Sequence, residues 1–187
     1  MEVTPLGIEG SWFAHSPLFS DSRGYFREWF NQKQIKEVTG RSMNFAQANI
    51  SQSVKGAVRG VHYSIAERGQ AKWVTCSNGS IRDFIVDLRS SSQTFGTWIT
   101  VELSAESGNA VLISEGLGHA FLSLEDNTTV VYLCSTAYSP KNEFGINPLD
   151  HDIAIDWGTN HSELILSEKD RLAPTLQQRL IDGKLPS

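Results

Sequence analysis

What the 187-residue chain has little of narrows it first. It carries two cysteines, Cys76 and Cys134, each inside an apolar, strand-like run. Two thiols so placed make neither a disulfide framework nor a zinc ligand set, and they point to reduced, buried side chains in a cytoplasmic protein. Long apolar runs are missing as well. None approaches the roughly 20 residues of a membrane-spanning helix, so no membrane partner is expected. The first residues, Met1-Glu2-Val3-Thr4-Pro5-Leu6, lack the basic start and apolar stretch of a secretory leader. Positive charge is scarce: 16 Lys and Arg against 21 Asp and Glu leave a formal charge of −5. Affinity for a phosphate backbone needs concentrated cations, so nucleic acid is not an expected partner. A few cations focused in one cleft can still attract a small anion against that average. Repeats, low-complexity tracts and linker-like segments are absent, and the length fits one domain over 1–187 with a sizeable core.

What is there is mostly strand signal. Residues 3–20 read as strand-like pieces broken at Pro5 and Pro17, Asp21-Ser22-Arg23-Gly24 as a turn, and Tyr25–Phe30 as an aromatic strand. Asn31 can cap a short helix through Val38, with Gly40 just past its end. Phe45–Ser51, Val58–Ile65, Trp73–Thr75 and Ile81–Leu88 are further strands, and Ser77-Asn78-Gly79-Ser80 reads as a hairpin turn. In 97–103, Thr97, Ile99, Val101 and Leu103 alternate with Trp98, Thr100 and Glu102, the period-2 pattern of a strand. Ala110–Ser114, His119–Leu124 and Thr128–Cys134 follow, separated by Ser107-Gly108-Asn109 and Glu125-Asp126-Asn127 turns. Beyond them the chain reads as irregular until a C-terminal helix from about Thr175 to Ile181. Many short strands with turns between them imply an antiparallel sandwich or barrel.

The chemistry concentrates in Gly56–Thr75, where Arg59, His62 and Lys72 flank a polar connection. An imidazole can take a proton, an ammonium can steady an oxyanion, and a guanidinium can clamp a phosphate. Two ordinary strands with a solvated turn would read the same way. Strict alternation also puts Arg59 and His62 on opposite faces of one strand. Either a bulge near Gly60 re-aims the chain, or Arg59 reaches round the strand's end. Two further stretches add polar groups to apolar runs: Ser114-Glu115-Gly116-Leu117-Gly118-His119-Ala120-Phe121 and Val130-Val131-Tyr132.

Seven pieces occur in order: Asp21-Ser22-Arg23-Gly24, Arg59-Gly60-Val61-His62-Tyr63, Gln70-Ala71-Lys72, Val86-Asp87-Leu88-Arg89, Thr94-Phe95-Gly96, Glu115–Phe121 and Leu166-Ser167-Glu168-Lys169-Asp170. Together, over about Leu6 to Pro174, they resemble the dTDP-4-dehydrorhamnose 3,5-epimerase family. The resemblance implies an all-β fold, an antiparallel double-stranded β-helix or cupin-like jelly roll with a few short helices, in a homodimer. It implies epimerisation at C3 and C5 beside the C4 ketone of a dTDP-linked 4-keto-6-deoxyhexose, through an enolate and with no cofactor or metal.

On the same resemblance His62 is the base, Asp170 the carboxylate that orients it, Lys72 the cation beside the C4 oxygen and Tyr132 the acid on the opposite face. Arg23, Arg59 and Lys169 fall on positions that grip the diphosphate. Phe26, Glu28, Gln47, Asn49 and Tyr138 fall on positions around the deoxythymidine, and His119 and Glu143 on further pocket-lining positions. From the residues alone, Ser167-x-x-Asp170 reads first as a helix-capping pattern rather than a catalytic partner, Tyr132 as a core tyrosine, and Phe26 fits plain core as well. His15, His151 and His161 read as surface or structural.

The chain departs from the commoner family pattern at Ser114–Phe121, where Pro-Glu-Gly-Phe-Ala-His-Gly-Phe is usual, and at Ser64, which replaces a frequent glutamine. Such variants also occur among relatives that invert one carbon only, so a mono-epimerase of antibiotic-sugar biosynthesis is the alternative. From another class, a metal-dependent cupin would use His62 and His119. Two histidines with no clear carboxylate partner fall short of the usual three ligands.

Overall fold

The computed structural model describes residues 1–67 and 69–187. Strands β1 (Glu2–Pro5), β2 (Ser11–His15), β3 (Phe19–Asp21) and β4 (Gly24–Phe26) precede helix α1 (Gln32–Thr39). Then come β5 (Gln47–Ser53), β6 (Ala57–Ser64), β7 (Lys72–Asn78), β8 (Ser80–Asp87), β9 (Trp98–Ser104), β10 (Asn109–Ile113), β11 (Leu117–Ser123) and β12 (Thr128–Cys134). The C-terminal part adds β13 (Glu143–Gly145), β14 (Ile165–Leu166), α2 (Glu168–Arg171) and α3 (Leu176–Ile181). Arg68, in the polar connection between β6 and β7, lies outside the described residues. No described helix is long and apolar enough to cross a membrane.

Two sheets run in the orders β1-β2-β10-β7-β12-β5 and β13-β6-β11-β8-β9, with β14 parallel to β6 and β3–β4 a separate hairpin. The inward side chains of β7, β10 and β12 (Val74, Cys76, Val111, Ile113, Val130) meet Ile81, Ile85, Leu103, Leu117 and Phe121 of the other sheet. This is the expected antiparallel jelly roll. The outer face of the second sheet is covered by Ile146, Ile153, Ile155, Trp157 and Leu176, and that of the first by Ile35 and Met43. Strands β10 and β11 are therefore buried on both faces and throughout their length, so they show no alternation in sequence.

Helix α1 forms as its caps dictate: the Asn31 side chain accepts from Gln34 N, and Gly40 closes the end at φ 71°. Three expectations need correction. Asn78-Gly79 is a tight turn but not a hairpin, because β7 pairs with β10 and β12 whereas β8 pairs with β9 and β11. Cys76 and Ile81 enter the same core from opposite sheets, so burial sends the chain across rather than back. The aromatic strand stops at Phe26. Trp29 and Phe30 instead join Trp73: its Nε1 donates to Trp29 O at 2.9 Å, and its ring lies 5.7 Å from Phe30. Finally, the C-terminal stretch is not irregular throughout, since β13, β14 and α2 lie against β6.

Candidate active site

Strand β6 carries the decisive irregularity. His62 lies opposite His119 and Arg59 opposite Phe121, so Gly60 and Val61 together face Ala120 alone. That extra residue is a β-bulge, and it resolves the alternation problem: Arg59 and His62 line one cavity. Gly60 sits at φ 126°, where a Cβ would come within 2.5 Å of the His119 carbonyl oxygen and the Ala120 Cβ. Glycine is the residue that fits there.

The cavity, about 410 Å³, opens between the sheets and is lined by Arg59, His62, Lys72, His119, Phe121, Tyr132, Lys169 and Asp170. A neighbouring space of about 260 Å³ shares His62, Lys72, Tyr132 and Lys169, and adds Gln47, Asn49, Gln70, Cys134, Tyr138 and Glu143. Eleven of the fourteen site residues expected from sequence thus meet in one continuous cleft. His62 and His119 come from one sheet, Lys72 and Tyr132 from the other.

Asp170 reaches His62 from a different direction. Pairing of β14 with β6 (Leu166 with Val58) docks the following helix, and Ser167 Oγ accepts from Asp170 N at 3.1 Å. Asp170 Oδ1 then lies 2.6 Å from His62 Nε2. The helix start and the orienting carboxylate are the same residue. Burial raises the Asp170 carboxyl, but the His62 bond and charge, the Ser167 hydroxyl and the Gly60 N–H outweigh it, and the net shift is downward. With Nε2 engaged, Nδ1 is the nitrogen left to take a proton.

Lys72 is 9% exposed. Burial lowers its pKa, against the charges of Cys134, Glu143 and Asp83. A less solvated ammonium interacts more strongly with a developing oxyanion. Burial raises the Tyr132 hydroxyl, with Cys134 adding to it and Arg59 opposing. Glu143 is likewise raised by burial, against Lys72, His62 and Lys169. Arg59 is held by Ser53 Oγ at 3.1 Å and Gln52 O at 3.0 Å. Gln47 donates to Asn49 Oδ1 at 2.8 Å and accepts from Tyr138 N at 2.7 Å.

Arg23, Phe26 and Glu28 do not join this cleft. Arg23 pairs with Asp21 at 2.6 Å on the β3–β4 hairpin, and Glu28 accepts from Asn31 Nδ2 at 2.9 Å. Phe26 is 68% exposed, which removes the plain-core alternative, and it lines a separate cavity with Tyr25, Trp29 and Cys76. His15, His151 and His161 are exposed. Among the described residues, no three His, Cys, Asp or Glu side chains converge as a metal ligand set. Both cleft imidazoles have Nε2 committed to a carboxylate.

A protein-family model described as dTDP-4-dehydrorhamnose 3,5-epimerase matches residues 5–178. The chain belongs to that family. It is 44% identical over 183 residues to a dTDP-4-dehydro-6-deoxyglucose 3-epimerase from a Streptomyces species, covering 98% of this chain and 93% of the relative. It is 43% identical over 187 residues to the dTDP-4-dehydrorhamnose 3,5-epimerase of Mycolicibacterium smegmatis, covering 100% and 92%. A solved structure of a 3′-monoepimerase from Streptomyces bikiniensis in complex with dTDP-quinovose superposes with a TM-score of 0.93, at 44% identity over 98% of this chain and 92% of that one.

One residue behind the cleft of this epimerase-family chain escaped the sequence reading: Asp83, fully buried, whose Oδ2 lies 2.6 Å from His119 Nε2. A signal was present. In β8 an aspartate stands between Ile81 and Ile85 on the inward face, and a carboxylate there requires a partner.

Proposed function

We propose that this chain is an epimerase that inverts C3 and C5 of dTDP-4-dehydro-6-deoxy-D-glucose, giving dTDP-4-dehydro-L-rhamnose through an enolate. The observation that carries this is the His62–Asp170 pair, 2.6 Å apart, in one cleft with Lys72 and with Tyr132 of the opposite sheet. A C–H beside a ketone is weakly acidic, so its removal needs a base and a charge on the enolate oxygen. His62 Nδ1 takes the proton while Asp170 holds the imidazolium that forms. The Lys72 ammonium lies where the C4 oxygen gains charge. Tyr132, from the other wall, returns a proton to the opposite face of the carbon, and that is inversion. One proton leaves and one arrives, so the step balances without an oxidant.

Arg59 and Lys169 supply cations for the diphosphate, and Arg suits it because its planar fork donates in pairs. Gln47, Asn49 and Tyr138 are hydrogen-bonding or stacking partners for the nucleoside. Arg23, Phe26 and Glu28 serve a homodimer, in which the hairpin of one copy completes the cleft of another. Phe19, Tyr25 and Phe26 on that hairpin are all exposed, an apolar tip that association would cover. The free, buried thiols of Cys76 and Cys134 suit a cytoplasmic protein.

A second reading is a mono-epimerase. The relative at 44% identity is a 3-epimerase by name, and the one at 43% a 3,5-epimerase, so overall likeness does not separate them. Incubating protein and keto-sugar in deuterated water decides. Label at both C5 and C3 supports the double inversion, label at one carbon the single. Label at neither removes this chemistry.

A further inference from the structure

Strand β5 carries its polarity on the wrong side for a core. It is the last strand of the first sheet, with Gln47, Asn49, Ser51 and Ser53 facing inward and Ala48, Ile50 and Gln52 exposed. Ile50, its largest apolar side chain, is 73% exposed. Register fixes the inward side: Ser51 pairs with Val130, a core residue, and Asn49 with Tyr132, which lines the cleft. The inward face of a packed sheet is ordinarily apolar. Four polar residues in succession there make the wall of a site.

Three of the four have partners. Gln47 donates to Asn49 and accepts from Tyr138 N beside the smaller space, and Ser53 Oγ accepts from Arg59 Nε at 3.1 Å. Ser51 lines the larger cavity together with Arg59, and its Oγ is buried with no hydrogen-bond partner among the described residues. A buried hydroxyl left unpaired costs stability, so one at a cavity wall calls for a partner that arrives with a ligand. Its position names the ligand group. Two residues along a strand advance roughly 6.5 Å, so Ser51 stands one side chain beyond Asn49, at the cavity of Arg59 and Lys169. Arg59 commits Nε and Nη2 to Ser53 and the Gln52 carbonyl, which leaves Nη1 for an anion. A hydroxyl that shares a cavity with two cations is placed to donate to the same anion.

We propose that Ser51 is a further binding residue of the cleft: its hydroxyl turns about one side-chain bond and donates to a phosphate oxygen of a nucleoside diphosphate gripped by Arg59. That the nucleoside diphosphate is dTDP rests on the function proposed above. Without ligand the hydroxyl is a cost to the fold. With ligand it becomes a contact, and the two states of one side chain give the proposal a signature in stability as well as in affinity.

The test compares the full-length wild type with Ser51→Ala, using dTDP and thymidine as probes. Calorimetry should show dTDP binding weakened on the order of tenfold to hundredfold, as for a hydrogen bond to a charged group. Affinity for thymidine, which lacks the phosphates, should stay within about twofold by NMR titration, since the nucleoside contacts are untouched. Free of ligand, Ser51→Ala should melt at or above the wild-type Tm, because it removes an unpaired hydroxyl. Added dTDP should raise the Tm of the variant less than that of the wild type. Equal dTDP affinity in the two proteins overturns the proposal, and so does an equal loss for thymidine. A lower Tm of the free variant also overturns it, because the hydroxyl then has a partner without ligand. If dTDP binding responds as expected but the wild type exchanges no protons on the keto-sugar, the epimerase reading falls while Ser51 stands. If the wild type exchanges protons and Ser51→Ala binds dTDP unchanged, Ser51 falls alone. A wild type that binds no dTDP removes both.

Discussion

Asp170→Asn tests the centre of the site with little change of shape. The imidazolium formed when His62 takes a proton faces a carboxylate oxygen 2.6 Å away. A hydrogen bond to a charged group contributes about 1.5–3 kcal/mol. The His62 side chain is 37% exposed, so water screens part of that and the lower end, roughly tenfold in rate, applies. A second loss adds to it. The asparagine amide can donate to Nε2, moving the ring proton to Nδ1, and Nδ1 then has no lone pair for the substrate proton. Together the expected fall in kcat is on the order of 10². Proton NMR of deuterium entering C5 and C3 measures it.

The same substitution has a signature in stability. Burial raises the Asp170 carboxyl, but His62, Ser167 and Gly60 bring it below the ordinary range of an aspartate. A depressed carboxylate stabilises the fold above its unfolded pKa, and that contribution is lost as pH falls through the folded value. The Tm difference between wild type and Asp170→Asn should therefore be largest near neutrality and shrink below about pH 4. A variant that exchanges protons within twofold of the wild-type rate, with a Tm gap independent of pH, would refute the assignment.

Three further substitutions probe other parts of the site. His62→Ala removes the base, and exchange at both carbons should fall by about 10²–10⁴ in the same NMR assay. Tyr132→Phe keeps the base but deletes the acid of the opposite wall. Deuterium should still enter with configuration retained while inverted product drops sharply, and inversion at the wild-type rate would return Tyr132 to a core role. Gly60→Ala places a methyl within 2.5 Å of the His119 carbonyl oxygen at a φ of 126°, so it should destabilise the fold by at least about 1–3 kcal/mol. Thermal unfolding reads the loss, and an unchanged Tm would contradict the bulge.

Local features were legible because each is written in neighbouring residues. The helix 31–40 follows from an Asn that caps and a Gly that adopts the left-handed region, and the strands from β-branched runs and turns. His62, Lys72, His119 and Tyr132 stood out as polar groups set into such runs, and the order of the motifs pointed to the epimerase family. Sequence also posed the Arg59–His62 problem correctly, because alternation is local, but its answer was not. The bulge depends on Ala120 of a neighbouring strand, which leaves no room for a side chain at Gly60.

Where long-range register acts, local pattern is silent. Asp170 reads as the third residue of a cap, and it becomes the partner of a histidine 108 positions away only once β14 pairs with β6. Asn78-Gly79 specifies a tight turn but not which sheet receives the chain, since that follows from burying Cys76 and Ile81 in one core. Asp83 is one acidic residue in an apolar strand until the neighbouring β11 brings His119 Nε2 to 2.6 Å from its carboxylate. A carboxylate's partner is chosen by what shares its buried space, and strand order, not sequence neighbourhood, decides that.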